Sequence, residues 1–129
     1  MKICVAGAAG AFGRKHLQAI TAINEVEVVS IVDTNPDSIQ EIAKEQHIEH
    51  WTTNLSESLA KPDIEAVILA TPTPLHAAQT IQCLQSGKHV LVEIPMAEKL
   101  ADAENIVKVQ RETGRIAMAG HTRRFNPSH

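Results

Sequence analysis

Apolar residues along this chain fall into six short runs, separated by stretches whose apolar positions recur at helical spacing. The runs are Lys2–Ala6, Val26–Val32, His50–Thr52, Ala66–Leu69, His89–Glu93 and Ile116–Ala119. The helical stretches are Ala11–Ile23, Asp37–Gln46, Leu55–Leu59, Pro74–Ser86 and Leu100–Thr113. Several runs, Val26–Val32 among them, are β-branched and continuous, without clean polar alternation. Strands covered on both faces read that way. Strand alternating with helix predicts an α/β fold: a doubly wound parallel sheet in three α/β/α layers, strand order 3-2-1-4-5-6, of the Rossmann type.

Punctuation residues agree with that division. Asn54 followed by Glu57 reads as an N-cap with its acidic third position. Thr73 reads as a cap with Pro74 opening the helix, and Gly87 and Gly114 stand just past two helix ends. No internal repeat, low-complexity stretch or linker interrupts the pattern.

The first strand runs straight into Gly7-Ala8-Ala9-Gly10-Ala11-Phe12-Gly13 and then into a helix. Glycines let a backbone turn sharply and approach a ligand that a Cβ would hold away. A helix start adds unpaired N–H groups and partial positive charge, which suit a pyrophosphate. Asp33 ends the second strand about twenty residues beyond the glycines, where an acid meets the adenosine ribose. The glycine spacing is G-x-x-G-x-x-G rather than G-x-G-x-x-G, so the loop is one residue longer than the usual fingerprint. Without a ligand, the same segment would be a tight turn and Asp33 a helix cap before Pro36.

Ligands bind such sheets at the carboxyl ends of the strands. That rule gathers Gly7, Gly10, Ala11, Phe12 and Gly13 with Asp33 and Thr34, Thr71, Pro72, Thr73 and His76, and Glu93, Ile94 and Pro95, as cofactor-binding candidates. The prolines stiffen the exit of strand four, while the threonine hydroxyls can reach a ribose or phosphate. His76 either approaches the cofactor or is a packed histidine. Asp33 would repel the additional phosphate of NADP, and no Arg or Lys follows it before Lys44, so charge favours NAD.

Composition narrows the classes. With 43% hydrophobic and 21% charged residues over 129 positions, the chain suits one globular domain. A net charge of −3 gives no basis for nucleic-acid binding, and no apolar stretch has membrane-spanning length. The first strand starts at once, so no signal peptide is expected. Cys4 and Cys83 form neither a zinc pattern nor a disulfide framework; reduced, buried thiols suit a cytoplasmic protein. His47 and His50 have no third ligand nearby in sequence, so no metal is expected, and Trp51 reads as a packing residue.

The glycine turn, Ala70-Thr71-Pro72 with His76, Ser86–Glu93 and Pro95 together resemble the N-terminal domain of the Gfo/Idh/MocA oxidoreductases, over essentially the whole chain. The resemblance implies an NAD(P)-dependent enzyme acting on sugars, polyols or related alcohols. It also implies a dinucleotide-binding domain over residues 1–120, with 121–129 beginning the connection to a C-terminal α/β substrate domain, and a homo-oligomeric full-length protein. The family usually reads Glu-Lys-Pro after strand five, its lysine being a frequent catalytic residue. Here the triplet is Glu93-Ile94-Pro95, and isoleucine cannot exchange a proton. Acid–base chemistry then comes from elsewhere, with His121 as a candidate for that role or for positioning, or else the chain is a non-catalytic dinucleotide-binding module.

Glu93-Ile94-Pro95 and the ending Ala119–His129 resemble those members that oxidise the cyclic hemiacetal of a carboxylated semialdehyde with NADP. Resemblance and Asp33 therefore point to different cofactors. A carboxylated small-molecule substrate suits His121, Arg123 and Arg124, because guanidinium binds carboxylate bidentately. The alternative for the arginines is a solvated basic pair. The glycine spacing is shared by dihydrodipicolinate reductases, but the Thr71–His76 and His121–Asn126 segments argue against that relation.

Overall fold

The computed structural model describes residues 1–120. His121, Arg123 and Arg124 lie outside the described residues. The elements are β1 (Lys2–Ala6), α1 (Ala11–Ile20), β2 (Glu27–Val32), α2 (Pro36–Gln46), β3 (His50–Thr52), α3 (Leu55–Leu59), β4 (Ala66–Leu69), a 3₁₀ turn (Thr73–Leu75), α4 (His76–Gln85), β5 (His89–Glu93), α5 (Leu100–Thr113) and β6 (Ala117–Gly120). All strand pairs are parallel, in the order β3-β2-β1-β4-β5-β6. The predicted topology holds.

Period-two alternation divides the strand residues between two cores. Ile3, Val5 and Ile31 pack with Leu17 and Ile20 of α1 and Ile39 and Ile42 of α2. Cys4, Ala6, Val67, Leu69, Val90 and Val92 pack on the other face with Leu55 and Leu59 of α3, Leu84 of α4, and Ile106 and Val109 of α5. Helices therefore cover both faces, which explains why the strands read as continuous apolar runs.

Several boundaries differ from the sequence expectation, those of β2, α2, the end of α4 and the end of β6 by a single residue, and three others have a local reason. α1 stops at Ile20 because Ala22 and Ile23 donate to carbonyls three residues back, Ala19 and Ile20, closing a tight turn. Thr73 does not cap a helix. Leu75 N–H bonds Pro72 O at 3.0 Å, so Thr73–Leu75 form the 3₁₀ turn and α4 starts at His76. β6 begins one residue later than expected, since Ile116 N–H bonds His89 Nδ1 at 3.0 Å.

The caps at Asn54, Gly87 and Gly114 follow the sequence, and the α2 cap does not. Asn35, rather than Asp33, caps α2, accepting from the N–H groups of Asp37 and Ser38. Asn54 Oδ1 accepts from Ser56 N–H, and Glu57 reaches the Asn54 backbone through Thr52: Thr52 Oγ1 accepts from Asn54 N–H and donates to Glu57 Oε2. Gly87 and Gly114 adopt φ of 82° and 69°. Trp51 lies on the edge strand with 36% of its surface exposed. Among the described residues, no cluster of three metal-ligating side chains exists, and no helix is long and apolar enough to cross a membrane.

One polar cluster sits inside the fold beneath β1–β3. Ser30 and Ser58 are fully buried, their hydroxyls 2.7 Å apart, and His50 Nδ1 is 2.7 Å from Ser30 Oγ. Desolvation holds His50 below its ordinary pKa, with Lys61 acting in the same direction and Glu57 against it. Burial likewise pushes the Cys4 thiol up to about 11, despite hydrogen bonds with Ser58 and Ser30, and Cys83 up to about 12.

Two outcomes follow from this packing. Burial raises both thiol pKa values above their ordinary 9.0, so the folded chain keeps protons that the unfolded chain releases. Their contribution to stability is complete below pH 9 and is lost as pH rises through about 11 to 12. Urea midpoints should therefore fall between about pH 8 and about pH 10.5, and neither thiol should react with iodoacetamide at about pH 8 until the chain unfolds. Separately, a Cβ on Gly13 would stand 2.0 Å from Gly7 O, backbone against backbone. Gly13→Ala should cost about 3 kcal/mol of unfolding free energy by denaturant titration.

Candidate cofactor site

The sheet reverses direction of strand addition at β1, which has β2 on one side and β4 on the other. Loops leaving β1 and β4 must therefore diverge, and a crevice opens between them at the carboxyl edge. The β1 loop is held there by backbone bonds. Gly7 and Ala8 N–H groups both donate to Val32 O, at 2.8 and 3.2 Å. Gly7 has φ of 76°, and a Cβ there would meet Ala70 O at 2.4 Å. Glycine is required because the turn lies directly against the exit of β4.

α1 begins from this turn with Gly10 as its N-cap, and a glycine brings no side chain to satisfy the first N–H groups. A Cβ on Gly10 would meet only Gly7 O, at 3.4 Å. The helix start is thus open toward the crevice, and its uncapped donors and dipole suit a diphosphate.

Asp33 closes one side. Its Oδ2 accepts from Ala9 N–H at 2.9 Å and its Oδ1 from Thr34 N–H at 2.7 Å. The acid is therefore fastened to the middle of the glycine loop, and Ala9 at that position supplies the bond through its backbone. Each carboxylate oxygen has further acceptor capacity for a hydroxyl.

Two clefts flank Ala70 and Thr71, which line both. The larger, about 510 Å³, lies between the glycine loop and the β2 and β4 exits, and Gly7, Gly10, Asp33, Thr34, Thr71 and Pro72 line it. The smaller, about 480 Å³, is lined by Phe12, Thr71, Thr73, His76, Glu93, Ile94 and Pro95. Of the cofactor candidates, Ala11 and Gly13 line neither cleft; Gly13 is buried beneath the loop and acts by letting α1 pack against Gly7.

His76 is a packed histidine, 2% exposed, that bridges two strand exits. Its Nε2 lies 2.6 Å from Thr71 O and its Nδ1 lies 2.9 Å from Pro95 O. Both partners are acceptors, so a ring bearing two N–H groups donates to both, and a neutral ring to one of them. The Thr71 hydroxyl donates to Gln79 Oε1 at 2.6 Å, leaving its oxygen to accept rather than donate. Ile94 is 40% exposed at the mouth of the smaller cleft and provides an apolar wall there.

Sequence reasoning missed two polar residues of the site. Gln79 lines the larger cleft from α4, one helical turn past His76. His16, on α1, pairs through Nε2 with Glu93 Oε1 across 77 residues of sequence. The available signal was helical spacing: His16 lies one turn after Phe12, on the same helix face.

Comparison with known proteins agrees with this geometry. A family model described as an oxidoreductase family with an NAD-binding Rossmann fold matches residues 1–121. The 4-carboxy-2-hydroxymuconate-6-semialdehyde dehydrogenase of Sphingobium sp. (strain SYK-6) is 53% identical over 129 residues, covering 100% of this chain and 41% of that protein. The scyllo-inositol 2-dehydrogenase (NAD(+)) of Bacillus subtilis is 32% identical over 123 residues, covering 95% of this chain and 35% of that protein. The crystal structure of scyllo-inositol dehydrogenase from Lactobacillus casei, with bound NAD(H) and scyllo-inositol, superposes with a TM-score of 0.90 at 26% identity, over 99% of this chain and 38% of that one. The chain thus spans 41% and 35% of the length of the two enzymes named from sequence. Since the family match runs through nearly every residue, and the strand order is that of a Rossmann fold, the protein belongs to the Gfo/Idh/MocA oxidoreductases and comprises their NAD-binding Rossmann domain.

Proposed function

We propose that this chain is the cofactor-binding part of an NAD-dependent dehydrogenase that oxidises the cyclic hemiacetal of a carboxylated semialdehyde, such as 4-carboxy-2-hydroxymuconate-6-semialdehyde, to the lactone 2-pyrone-4,6-dicarboxylate. The observation that carries the reading is the 53% identity to the Sphingobium enzyme over all 129 residues, against 32% for the inositol enzyme. Arg123 and Arg124 supply cations suited to a dicarboxylate, and the pathway would be one of aromatic catabolism.

The residues present fit a dinucleotide. Gly7 and Gly10 let backbone approach the diphosphate, the uncapped start of α1 at Ala11 and Phe12 offers donors, and Asp33 with Thr34 receives the adenosine ribose. Thr71, Pro72, Thr73, His76, Glu93, Ile94 and Pro95 form the other half of the groove, which suits the nicotinamide end. When bound, the nicotinamide takes up the hydride released from the hemiacetal carbon. The ring oxygen of the hemiacetal stabilises the carbonyl that develops from its hydroxyl, so this substrate tolerates Ile94 in place of a lysine better than a simple alcohol would. His76 faces two backbone carbonyls with its ring nitrogens, which leaves the hydroxyl proton to His121 or to a residue outside this sequence. His121, Arg123 and Arg124 are the substrate-binding candidates that the sequence offers.

Asp33 supports NAD over NADP. A 2′-phosphate would meet a carboxylate already anchored by two backbone N–H groups, and such an acid cannot swing away cheaply. Calorimetric titration should show NADH binding more tightly than NADPH. Asp33→Ala should raise NADPH affinity about tenfold, ~1.4 kcal/mol, while weakening NADH. Equal binding of the two cofactors by the parent chain would sink the preference. The 129-residue chain alone is not expected to turn over, so turnover of the hemiacetal by a protein that joins it to a C-terminal substrate domain, with scyllo-inositol as the control polyol, tests the substrate. Dinucleotide binding with no turnover would favour the second reading, a non-catalytic binding module, which Ile94 supports.

A further inference from the structure

We infer that His16 is a positioning residue for the nicotinamide half of the groove: it fixes the Glu93 carboxylate so that Oε2 accepts a hydroxyl of the bound ligand. The inference rests on the dinucleotide reading above and adds to it a residue that does not line either cleft.

Glu93 is the last residue of β5, only 8% exposed, and it forms part of the wall of the smaller cleft. A carboxylate so poorly hydrated is retained only where donors compensate it. Among the described residues, the donor it meets is the His16 ring, through Oε1. An ionised carboxylate only accepts, so His16 Nε2 carries the proton of that bond. The two side chains retain 18% and 11% of their surface, which removes water as an easy substitute.

The second oxygen lies elsewhere. An ideal Cβ on Gly120 would stand 3.9 Å from Glu93 Oε2, which puts that oxygen beside the end of β6. One oxygen is therefore held by α1 and the other lies beside the end of β6, while Glu93 itself lines the cleft together with Phe12 and Ile94. Without His16 the carboxyl group can rotate about its last torsion, which is broad and weakly restrained. Because α1 also bears the glycine cradle, the pair sets the distance between the diphosphate end of the groove and its far wall.

The test uses the two amide analogues of histidine. Glutamine presents its amide nitrogen near the position of Nε2, and asparagine near that of Nδ1. NADH affinity is measured by fluorescence titration for the parent chain, His16→Gln, His16→Asn, Glu93→Gln and the double variant His16→Asn/Glu93→Gln, with thermal melts alongside. His16→Asn should bind NADH about tenfold more weakly, whereas His16→Gln should stay within about threefold of the parent. In the Glu93→Gln background, His16→Asn should add almost nothing, because the oriented carboxylate is already gone. Equal affinities for the glutamine and asparagine variants, or an undiminished asparagine effect in the Glu93→Gln background, would overturn the positioning role. So would a lowered melting temperature with parental affinity well below it, which marks a purely structural contact. Failure of the parent chain to bind either NADH or NADPH would instead remove the dinucleotide reading itself, and this inference with it.

Discussion

The site depends on how closely one turn of backbone lies against its neighbours. Gly7 presses on the exit of β4, Gly13 presses on Gly7, and Val32 O receives two successive N–H groups from the loop. No side chain intervenes at these contacts. Backbone-to-backbone packing of this kind leaves the start of α1 aimed into the crevice and leaves its first donors unspent. A Cβ at either glycine would have to displace main chain rather than a flexible side chain, and the displacement would carry α1 with it.

Around that turn, polar side chains tie the strand exits to one another. Asp33 joins the β2 exit to the loop after β1, and His76 joins the β4 exit to the β5 exit. His16 and Glu93 join α1 to β5. Each link spans segments that loop flexibility would otherwise let drift. Together they tie four separate loops into the walls of the two adjoining clefts. The apolar cores on both faces hold the strands, and these few hydrogen bonds hold the ends.

Electrostatics at the two ends of the groove differ. In the larger cleft, the carboxylate of Asp33 is anchored by two backbone N–H groups and only partly buried. At the other end, Ile94 replaces a position the family commonly gives to lysine and leaves an apolar wall. Such a wall offers no proton relay. The chemistry it suits is one in which the substrate itself helps to stabilise the developing carbonyl.

Strand order, layering and the gathering of the strand exits around clefts at the carboxyl edge of the sheet were legible in the sequence, because period-two and period-3.6 patterns and glycine positions are local properties. Asp33 and the glycine turn could be named for the same reason. Boundaries such as the 3₁₀ turn at Thr73–Leu75 were not, since they depend on which carbonyl each N–H finds. The roles of His76 and His16 were decided only by tertiary structure. A histidine has no periodicity that reveals its partners, and those of His76 are carbonyls while that of His16 is a carboxylate 77 residues away. The sequence by itself determined the parallel sheet, its strand order and the meeting of the glycine turn with Asp33 at its carboxyl edge. Only the folded chain decided which side chains brace it, because bracing joins residues whose distance along the chain has no bearing on their distance in space.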